Sequence, residues 1–455
     1  ASRPRKLAVH ACENPRAMAG AAAPTRVSGL PPGPSEPPVV QAARYTWRFP
    51  SFTADAHRRF GASYTVRLPG LPPTVITSDR ALIKHLVVGD PLTRRHANDI
   101  LEPALGPGSV MLLEPAAHLT RRRLLLPLFH GERVAGYAEL TRTLVDAEMD
   151  EWDAGEPVRV HDRARRLMLA VIQSAVLGSS DAGFARELGR LLDTFASPVA
   201  NFGLFAPALS RRSRWNVIAE PFHREADRLD ALIDRVVAAA RADPALGSRT
   251  DVLALLLAAR DEDGRGLSDG DLRDELKTLL IAGHETTATA IAWAADLLAH
   301  DPAAARRVRA GDRAYVSAAA KEILRLRTIT PVSTARTLLE PAPCGDRLQL
   351  PAGTVVLTDA HTLHHDPELW PDPASLRPER FIGGSPASYS YLPFGGGAHR
   401  CLGAALATLE LEIALKAIVD RFDLEPVRPP ERPRRRGATL VPAGGATVRV
   451  HPRRA

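Results

Sequence analysis

A cysteine towards the C-terminal end of the chain has neighbours that suit metal chemistry. Cys401 follows the glycines at 395–397 and precedes an apolar run with helical spacing that starts at Leu402. Consecutive glycines allow a tight loop whose backbone can approach a flat ligand closely. The unpaired N–H groups and the positive dipole end of a helix N-terminus both favour thiolate, the form of cysteine that binds metal. The segment therefore predicts a metal-binding thiolate, although a free cysteine is more often a small core residue.

The residues on either side of Cys401 favour metal binding over a core role. From Phe394 to Gly403 the chain reads Phe-x-x-Gly-x-His-x-Cys-x-Gly. This pattern resembles the haem-binding loop of the cytochrome P450 family and matches each of its fixed positions: Phe394, Gly397, His399, Cys401 and Gly403. The resemblance implies that these residues form the cofactor-binding loop for haem b (iron protoporphyrin IX), and that Cys401 is the axial thiolate ligand of the iron.

Two basic residues one helical turn apart are further candidates for cofactor binding. His118 and Arg122 leave the same face of a predicted helix because they are four residues apart. A basic helix in solvent is the usual interpretation of such a charge run. The resemblance instead implies that both residues bind the haem propionates, since two donors on one face suit two carboxylates. It implies the same role for Arg336, which matches a further propionate-binding arginine of the family.

A long helix is predicted upstream of the cysteine loop. It begins at an N-cap signal, Ser268–Asp271, and continues to about His300, where Asp301-Pro302 ends it. From Leu276 to Leu298 the sequence is apolar nearly all round. We therefore expect a buried central helix.

The middle of this helix, residues 282–287, is polar and contains a glycine. Glycine costs up to about 1 kcal/mol in a helix interior, and a glutamate such as Glu285 is almost never buried without a partner. From these residues alone, a short polar patch facing a neighbouring helix remains the alternative. Taken with Cys401, the segment resembles the oxygen-handling signature of the same family. This resemblance implies that Gly283 leaves room for dioxygen, Thr286 holds a hydrogen bond beside it, and Glu285 helps to deliver protons.

Glu322 and Arg325 form a Glu-x-x-Arg motif, which is weak by itself because the same spacing recurs elsewhere in the chain. Their position between the central helix and the cysteine loop, with Arg380 downstream, matches a structural triad of the family. The resemblance implies that these three side chains fix the core on the haem side. We treat them as markers of the fold.

Several apolar segments are candidates for a substrate pocket. Residues 91–117 form a long irregular stretch, and such loops are often functional; the resemblance implies that this one borders the substrate. Asn201–Leu209 is apolar and predicts either a lid over a hydrophobic channel or a loop packed on the core. The candidate pocket residues are Leu101, Val110, Leu112, Ala282, Ile329, Val332 and Leu440.

The resemblance implies a mainly α-helical cytochrome P450 fold with a small β subdomain, in which haem lies between the central helix and the helix after Cys401. We expect residues 1–27 to form a basic, disordered tail and residues 28–455 a single catalytic domain. Near the end of the chain, Pro429–Arg436 predicts a basic turn in solvent. Two segments after it, 437–442 and 446–450, predict a terminal β-hairpin.

Composition excludes several classes of protein. With 45% hydrophobic and 24% charged residues, the chain is typical of a protein with a large core. Three cysteines far apart offer no disulfide framework, which favours a reducing cytoplasm. The apolar stretch near the N-terminus is too short to span a bilayer. The net charge is +7, but the basic residues are dispersed without a nucleic-acid motif, so we expect no nucleic-acid partner.

No flavin, NAD or iron–sulfur module is recognisable in the sequence. We therefore expect electrons to come from NAD(P)H through a separate ferredoxin reductase and ferredoxin. Arg121, Arg123, Arg400 and Lys416 are candidates for a basic face that binds an acidic ferredoxin transiently. We expect the chain itself to be a monomer.

The resemblance implies a haem-thiolate monooxygenase that inserts one atom of O2 into a hydrophobic small molecule, by hydroxylation or epoxidation. Secondary-metabolite tailoring is the preferred role, with a terpenoid, polyketide or fatty-acyl substrate. Two alternatives stay open: a peroxygenase or isomerase on the same fold, and a non-catalytic haem-binding sensor. The adjacent Glu285 and Thr286 favour the route through O2.

Overall fold

A computed structural model of the chain describes residues 27–89, 94–179, 181–195 and 216–453. The expected tail up to residue 26 and the Asn201–Leu209 segment lie outside these described residues. Val27, the last residue of the expected tail, belongs to a short strand and pairs with Leu348.

Helices account for most of the regular structure. They are α1 (Pro38–Trp47), α2 (Phe49–Phe60), α3 (Arg80–Val88), α4 (Glu102–Leu105), α5 (Pro115–Leu125), α6 (Glu132–Asp150), α7 (Val160–Leu177), α8 (Ala182–Phe195), α9 (Asn216–Ala242), α10 (Val252–Ala258), α11 (Asp269–His300), α12 (Pro302–Ala310), α13 (Arg313–Leu326), α14 (Ala360–His364) and α15 (Ala404–Arg421).

The strands are short and form small sheets. They are β1 (Val27–Ser28), β2 (Ser63–Val66), β3 (Thr74–Thr77), β4 (Arg94–His96), β5 (Pro157–Arg159), β6 (Val332–Leu338), β7 (Ala342–Cys344), β8 (Leu348–Leu350), β9 (Val355–Asp359), β10 (Phe422–Pro426), β11 (Pro433–Arg436), β12 (Thr439–Pro442) and β13 (Thr447–Pro452). The largest sheet has the order β2-β3-β9-β6-β4, and the others have the orders β1-β8-β7, β10-β13-β5 and β11-β12. The predicted mainly α fold with a small β part is confirmed.

Helix α11 is the long buried helix that the sequence predicts. The Ser268 side chain accepts a hydrogen bond from the Asp271 amide at 3.1 Å, which caps the first turn. Downstream, α11 packs against α7, α9, α13 and α15, so side chains on all of its faces are buried. It therefore forms the axis around which the other helices are arranged.

Two apolar clusters meet along α11. Its first half, including Leu272, Leu276 and Leu280, belongs to a cluster shared with α7, α8 and α9. Its second half, from Ala288 to Ala299, belongs to another cluster that includes residues of α6, α13 and α15. The polar segment 282–287 lies between these two clusters. The core thus holds α11 rigidly on both sides of the candidate oxygen-handling residues.

The C-terminal strands pair differently from the predicted hairpin. Strand β12 is antiparallel to β11, whereas β13 lies between β10 and β5. Residues 433–436, expected in a solvent turn, are extended and continue into β12 through a two-residue turn at Gly437, whose φ of 57° suits such a turn. The prediction of a hairpin between 437–442 and 446–450 is therefore wrong.

Candidate active site

The cysteine loop is shaped by close packing against the end of α3. A Cβ atom added at Gly397 would lie 2.2 Å from the Val87 carbonyl oxygen, and Gly397 has a φ of 64°. Both observations require glycine at this position. After a 3-10 turn at Gly397–His399, the Cys401 amide donates a hydrogen bond to the Phe394 carbonyl at 2.9 Å. The loop is thus closed on itself immediately before α15.

The Cys401 thiol is exposed and lies at a cavity of about 350 Å³. Residues of α5, α6 and α15 line this cavity together with Arg313 and Arg400. Protein packed around the sulfur raises the pKa of Cys401, whereas a hydrogen bond from the Gly403 amide and the charges of Arg122 and Arg400 lower it. Burial is the larger effect, so the pKa of Cys401 is raised overall, and the charges and the amide limit this rise.

Four basic residues predicted to bind the cofactor come together from three parts of the chain. The rings of His118 on α5 and His399 in the cysteine loop are stacked, with centroids 3.7 Å apart. Burial, Arg122 and Arg336 lower the pKa of His118 to about 4. Burial, Arg336, His118 and Arg122 lower the pKa of His399 to about 2. At neutral pH both histidines are therefore uncharged, and the positive charge of the cluster is carried by its arginines.

This basic cluster fits a group that carries two carboxylates. His118 Nδ1 is buried and has no hydrogen-bond partner, a situation that is rare for a ring nitrogen and costs free energy. A negatively charged acceptor would satisfy His118 and offset the positive charges of Arg122 and Arg336. The donor set therefore matches haem propionates, as the resemblance implies.

His96 is a member of this cluster that the sequence analysis missed. It lies on β4 directly opposite Arg336 on β6, and its charge would affect both His118 and His399. Burial lowers its pKa as well. The segment that contains His96 was expected to be irregular, so its pairing with the strand of Arg336 could not be seen in the sequence.

On α11, two of the predicted residues are accessible in the middle of a buried helix. Ala282 is exposed and Thr286 half-buried, and the Thr286 hydroxyl donates to the Ala282 carbonyl at 2.7 Å. Helix α11 packs against α15, and Thr287 bonds to Glu410 on that helix. An accessible small side chain and a hydroxyl thus lie on the helix next to the one that follows Cys401.

Gly283 has a different environment from the one its predicted role requires. A Cβ atom at this position would lie 2.5 Å from Ile172 Cδ1 on α7. The missing side chain therefore allows α7 to approach α11 closely. Ala282, one helical turn before Thr286, is exposed. The role of Gly283 beside dioxygen stays a prediction.

The Glu285 carboxylate is surrounded by cations. Arg165 Nε donates to it at 2.8 Å, Arg436 Nε lies at 3.1 Å and His161 Nε2 at 3.2 Å. Burial opposes ionisation, but His161, Arg436 and Arg165 outweigh it and lower the pKa of Glu285 to about 2. Asp193 Oδ1 on α8 pairs with both Arg165 and Arg436, and Arg436 Nη2 donates to it at 2.8 Å. Glu285 is therefore a fixed anion at neutral pH.

These partners of Glu285 were also missed in the sequence. His161 and Arg165 are one helical turn apart on α7, the same spacing that singled out His118 and Arg122. That spacing was an available signal. Arg436 had no such signal, because its segment was expected to be a turn in solvent.

The structure brings the three fold markers together. Arg325 donates to the Glu322 carboxylate through Nε at 2.7 Å and Nη2 at 2.8 Å, and Arg380 Nε donates to it at 3.1 Å. Glu322 and Arg325 are completely buried. Arg325 also donates to the His364 carbonyl, which ties α13 to α14.

The candidate pocket residues do not form one group. The Leu440 amide donates to the Ile329 carbonyl at 2.8 Å, which holds these two residues side by side, and Val332 follows on β6. Val110 and Ile329 both belong to buried apolar clusters, Val110 with Leu276 and Leu280 and Ile329 with the second half of α11. The remaining three residues are partly or fully exposed: Leu101, Leu112 and Ala282.

The predicted basic face is only partly present. Arg121 forms a buried ion pair with Glu275 at 2.7 Å and therefore does not contribute to a docking surface. Arg123 and Lys416 are paired with acidic residues nearby, Glu262 and Asp420. Arg400 is exposed at the cavity beside Cys401. Arg313 and His130 also line this cavity, although no motif in the sequence indicated them.

Comparison with known proteins covers almost the whole chain. A family model described as Cytochrome P450 matches residues 31–449. Cytochrome P450 135B1 of Mycobacterium tuberculosis is 36% identical over 443 residues, which cover 94% of this chain and 92% of that protein. Cytochrome P450 137 of the same organism is 37% identical over 405 residues, which cover 87% and 84%.

A solved structure shares the fold. The cyanobacterial CYP120A1 with bound retinoic acid superimposes with a TM-score of 0.82, and the match covers 94% of this chain and 100% of that one. The two sequences are 23% identical, so this likeness concerns the fold alone. Within the described residues, no helix is long and apolar enough to cross a membrane.

Proposed function

The chain belongs to the cytochrome P450 family of haem monooxygenases, and we propose that it hydroxylates or epoxidises an apolar small molecule. The proposed setting is the tailoring of a secondary metabolite, with a terpenoid, polyketide or fatty-acyl substrate. The observation that carries the oxygen-dependent route is the accessible pair Ala282 and Thr286, with Glu285 beside it, in the middle of an otherwise buried helix.

Different residues of the chain would bind the iron and the propionates of the cofactor. Cys401 would ligate the iron as thiolate, stabilised by the Gly403 amide and by Arg122 and Arg400. His118, Arg122, Arg336 and His399 would hold the propionates. When bound, haem with a cysteine ligand supplies the activation of O2.

The polar residues of α11 would handle protons. The Thr286 hydroxyl gives its own proton to the Ala282 carbonyl, so its oxygen is free to accept a hydrogen bond. Glu285, with a pKa of about 2, cannot donate a proton at neutral pH while its three cationic partners remain in contact. It would take up and pass on a proton only after Arg165 or Arg436 releases it.

The proposed substrate class rests on the apolar residues at the start of β6 and at β12. Trp293 Nε1 donates to the Leu440 carbonyl at 2.7 Å, and the Leu440 amide donates to the Ile329 carbonyl, so the backbone holds these two aliphatic residues side by side. Val332 adds a third aliphatic group. Such a lining selects hydrophobic molecules by shape and by exclusion of water.

Electrons would come from a ferredoxin that is reduced by a NAD(P)H-dependent reductase. Arg313, Arg400 and His130 line the cavity next to Cys401, with Glu412 as an acidic neighbour, and this mainly basic surface suits an acidic partner. Turnover should therefore fall as ionic strength rises, because salt screens exposed charges. A ferredoxin-driven rate that does not depend on salt would contradict this docking surface.

The function can be tested with purified protein and a surrogate ferredoxin system. A screen for compounds that displace the iron-bound water, read from the haem spectrum, identifies ligands. With a ligand that is a substrate, we expect NAD(P)H consumption and incorporation of one labelled oxygen atom from O2. Product formed from peroxide alone would indicate a peroxygenase, product without electrons an isomerase, and ligand binding without product a sensor.

A variant separates oxygen handling from haem binding. Thr286→Ala should bind haem normally but divert electrons to peroxide and water, because the hydrogen bond beside the oxygen site is lost. Product and peroxide per NAD(P)H are the quantities to measure. Full conversion of electrons into product by this variant would rule out the proposed role of Thr286.

A further inference from the structure

Helix α5 carries two of the predicted propionate ligands but has little apolar anchorage. Of its 11 residues only His118 and Leu125 are buried. Its N-cap residue, Glu114, makes no side-chain capping bond. The rotation of a helix about its own axis is normally fixed by an apolar face packed on the core. Leu125 and the following turn, with Leu128 and Phe129, anchor the C-terminal end of α5 in the core. The rotation of its earlier turns depends on further interactions.

One such interaction is a buried ion pair between α5 and α11. Arg121 Nη1 donates to Glu275 Oε1 at 2.7 Å and to the Gly108 carbonyl at 3.0 Å, and Nη2 lies 3.3 Å from Asp271 Oδ1. The Arg121 side chain is 12% exposed and that of Glu275 is 0% exposed. Burial raises the pKa of Glu275 to about 7, while Arg121 opposes this rise. Loss of Arg121 would therefore leave a buried carboxyl group without its cationic partner, and loss of Glu275 would leave a largely buried guanidinium without its nearest anion.

The position of Arg121 on the helix makes it suited to this task. At about 100° per residue, its side chain leaves α5 about 60° from that of His118 and about 100° from that of Arg122. A small rotation of α5 that breaks the pair with Glu275 would therefore also turn both propionate ligands. The second ion pair of this helix, between Arg123 and Glu262, is 69% and 84% exposed and can exert no comparable constraint.

We propose that Arg121 and Glu275 are positioning residues for cofactor binding: their ion pair sets the rotation of α5, so that His118 and Arg122 face the haem propionates. The inference rests on the proposed haem site. Neither residue touches the cofactor, and both act through their neighbours. Loss of a residue that orients a cofactor-binding side chain without touching the cofactor commonly lowers the affinity for the bound group by about 10–100-fold.

The test is the rate at which haem leaves the holoenzyme for an excess of a haem-scavenging apoprotein. Glu275→Gln and Arg121→Met should each speed haem loss by about 10–100-fold. The double variant should be no faster than the faster single variant, because both changes remove one interaction. Arg121→Lys, which keeps the charge, should restore part of the retention. The carbonyl spectrum should still show a thiolate ligand, since the Cys401 loop is unchanged.

Two control variants separate positioning from general loosening. Arg123→Met removes the exposed pair of the same helix, and Thr278→Val removes the 2.7 Å hydrogen bond from Thr278 to Ser109, which ties the preceding loop to α11 without involving α5. Both should stay within about twofold of the unmodified protein. Equal acceleration in Thr278→Val, or unchanged haem loss in Glu275→Gln and Arg121→Met, would overturn the proposal. Failure of the unmodified protein to retain haem would instead refute the proposed function.

Discussion

The two sides of the candidate site differ in whether their charges are balanced by opposite charges. Around the cysteine loop, His118 has a buried nitrogen without a hydrogen bond, and the stacked pair with His399 is uncharged at neutral pH. On α11, the Glu285 carboxylate contacts two arginines and a histidine. The first side is prepared to receive a charged group, whereas the second already has its charges balanced.

This difference separates binding from proton transfer. A site that binds a charged cofactor gains free energy from groups that lack partners, because the cofactor satisfies them. A carboxylate that transfers protons needs cationic partners that pair with it between turnovers and can separate from it during the transfer. The predictions below test whether the two sides are independent, from the largest expected effect to the smallest.

Replacing the ligand should abolish the signature of the cysteine side. Cys401→Ser removes the sulfur, so the red-shifted carbonyl absorption of ferrous haem with a thiolate ligand should be lost completely. The matched control on the other side is Glu285→Gln, which should keep that absorption. Persistence of the band in Cys401→Ser would mean that another residue holds the iron.

Neutralising the carboxylate should affect turnover and not haem retention. Glu285→Gln should lower the rate of product formation by about 100-fold, the usual size of a proton-transfer contribution. Glu285→Asp, which keeps the charge, is the control and should retain more activity. Single-turnover product formation and haem loss are to be compared; faster haem loss in Glu285→Gln would show that the two sides are coupled.

Acid should protonate His118 and Glu285 in different pH ranges, and each protonation should destabilise the folded chain. The pKa of His118 in the folded, haem-free chain is about 4, below its ordinary value of 6.5, so its contribution to stability is lost as pH falls from about 6.5 to about 4. The pKa of Glu285 is about 2 against 4.5, so its contribution is present above pH 4.5 and is lost as pH falls towards 2. Each effect is worth about 3 kcal/mol.

Urea unfolding as a function of pH measures both effects. His118→Gln should flatten the dependence of the unfolding free energy in the upper range alone, and Glu285→Gln in the lower range alone. Flattening of both ranges by one variant would contradict the separation of the two sides.

The smallest effect is expected at Asp193. Its side chain is 49% exposed, so its ion pairs with Arg165 and Arg436 contribute less than about 1 kcal/mol. Asp193→Asn should leave both arginines on Glu285 and change product formation by less than about fivefold. A change as large as that of Glu285→Gln would place Asp193 within the proton-transfer system itself.

The parts of the site that the sequence predicted are those whose spacing is local. Phe394 to Gly403 lie in one loop, and His118 and Arg122 in one helical turn, so the spacing in the chain fixes their geometry. The burial of α11 was likewise predictable, because its sequence is apolar on nearly all faces. The family resemblance then supplied Arg336, Glu322 and Arg380, which local spacing would not connect.

What the sequence did not predict depends on which distant segments pack together. Arg436 reaches Glu285 only because β11 pairs with β12, and His96 meets Arg336 only because β4 pairs with β6. Val110, a candidate pocket residue, packs with leucines of α11, a contact that its own segment does not indicate. In each case a short segment without strong periodicity has a structure determined by the segments that pack against it, and a local sequence pattern does not indicate those contacts.

The contact between Gly397 and the carbonyl of Val87 has a consequence for assembly. The loop that presents the sulfur acquires its shape from a helix 310 positions earlier in the chain, as the two residue numbers show. Contacts between such remote positions form late, since the intervening chain must first be brought together. Newly synthesised protein would therefore complete most of its tertiary structure before it can bind haem. Substitutions near Val87 would be expected to yield protein without haem, which is colourless.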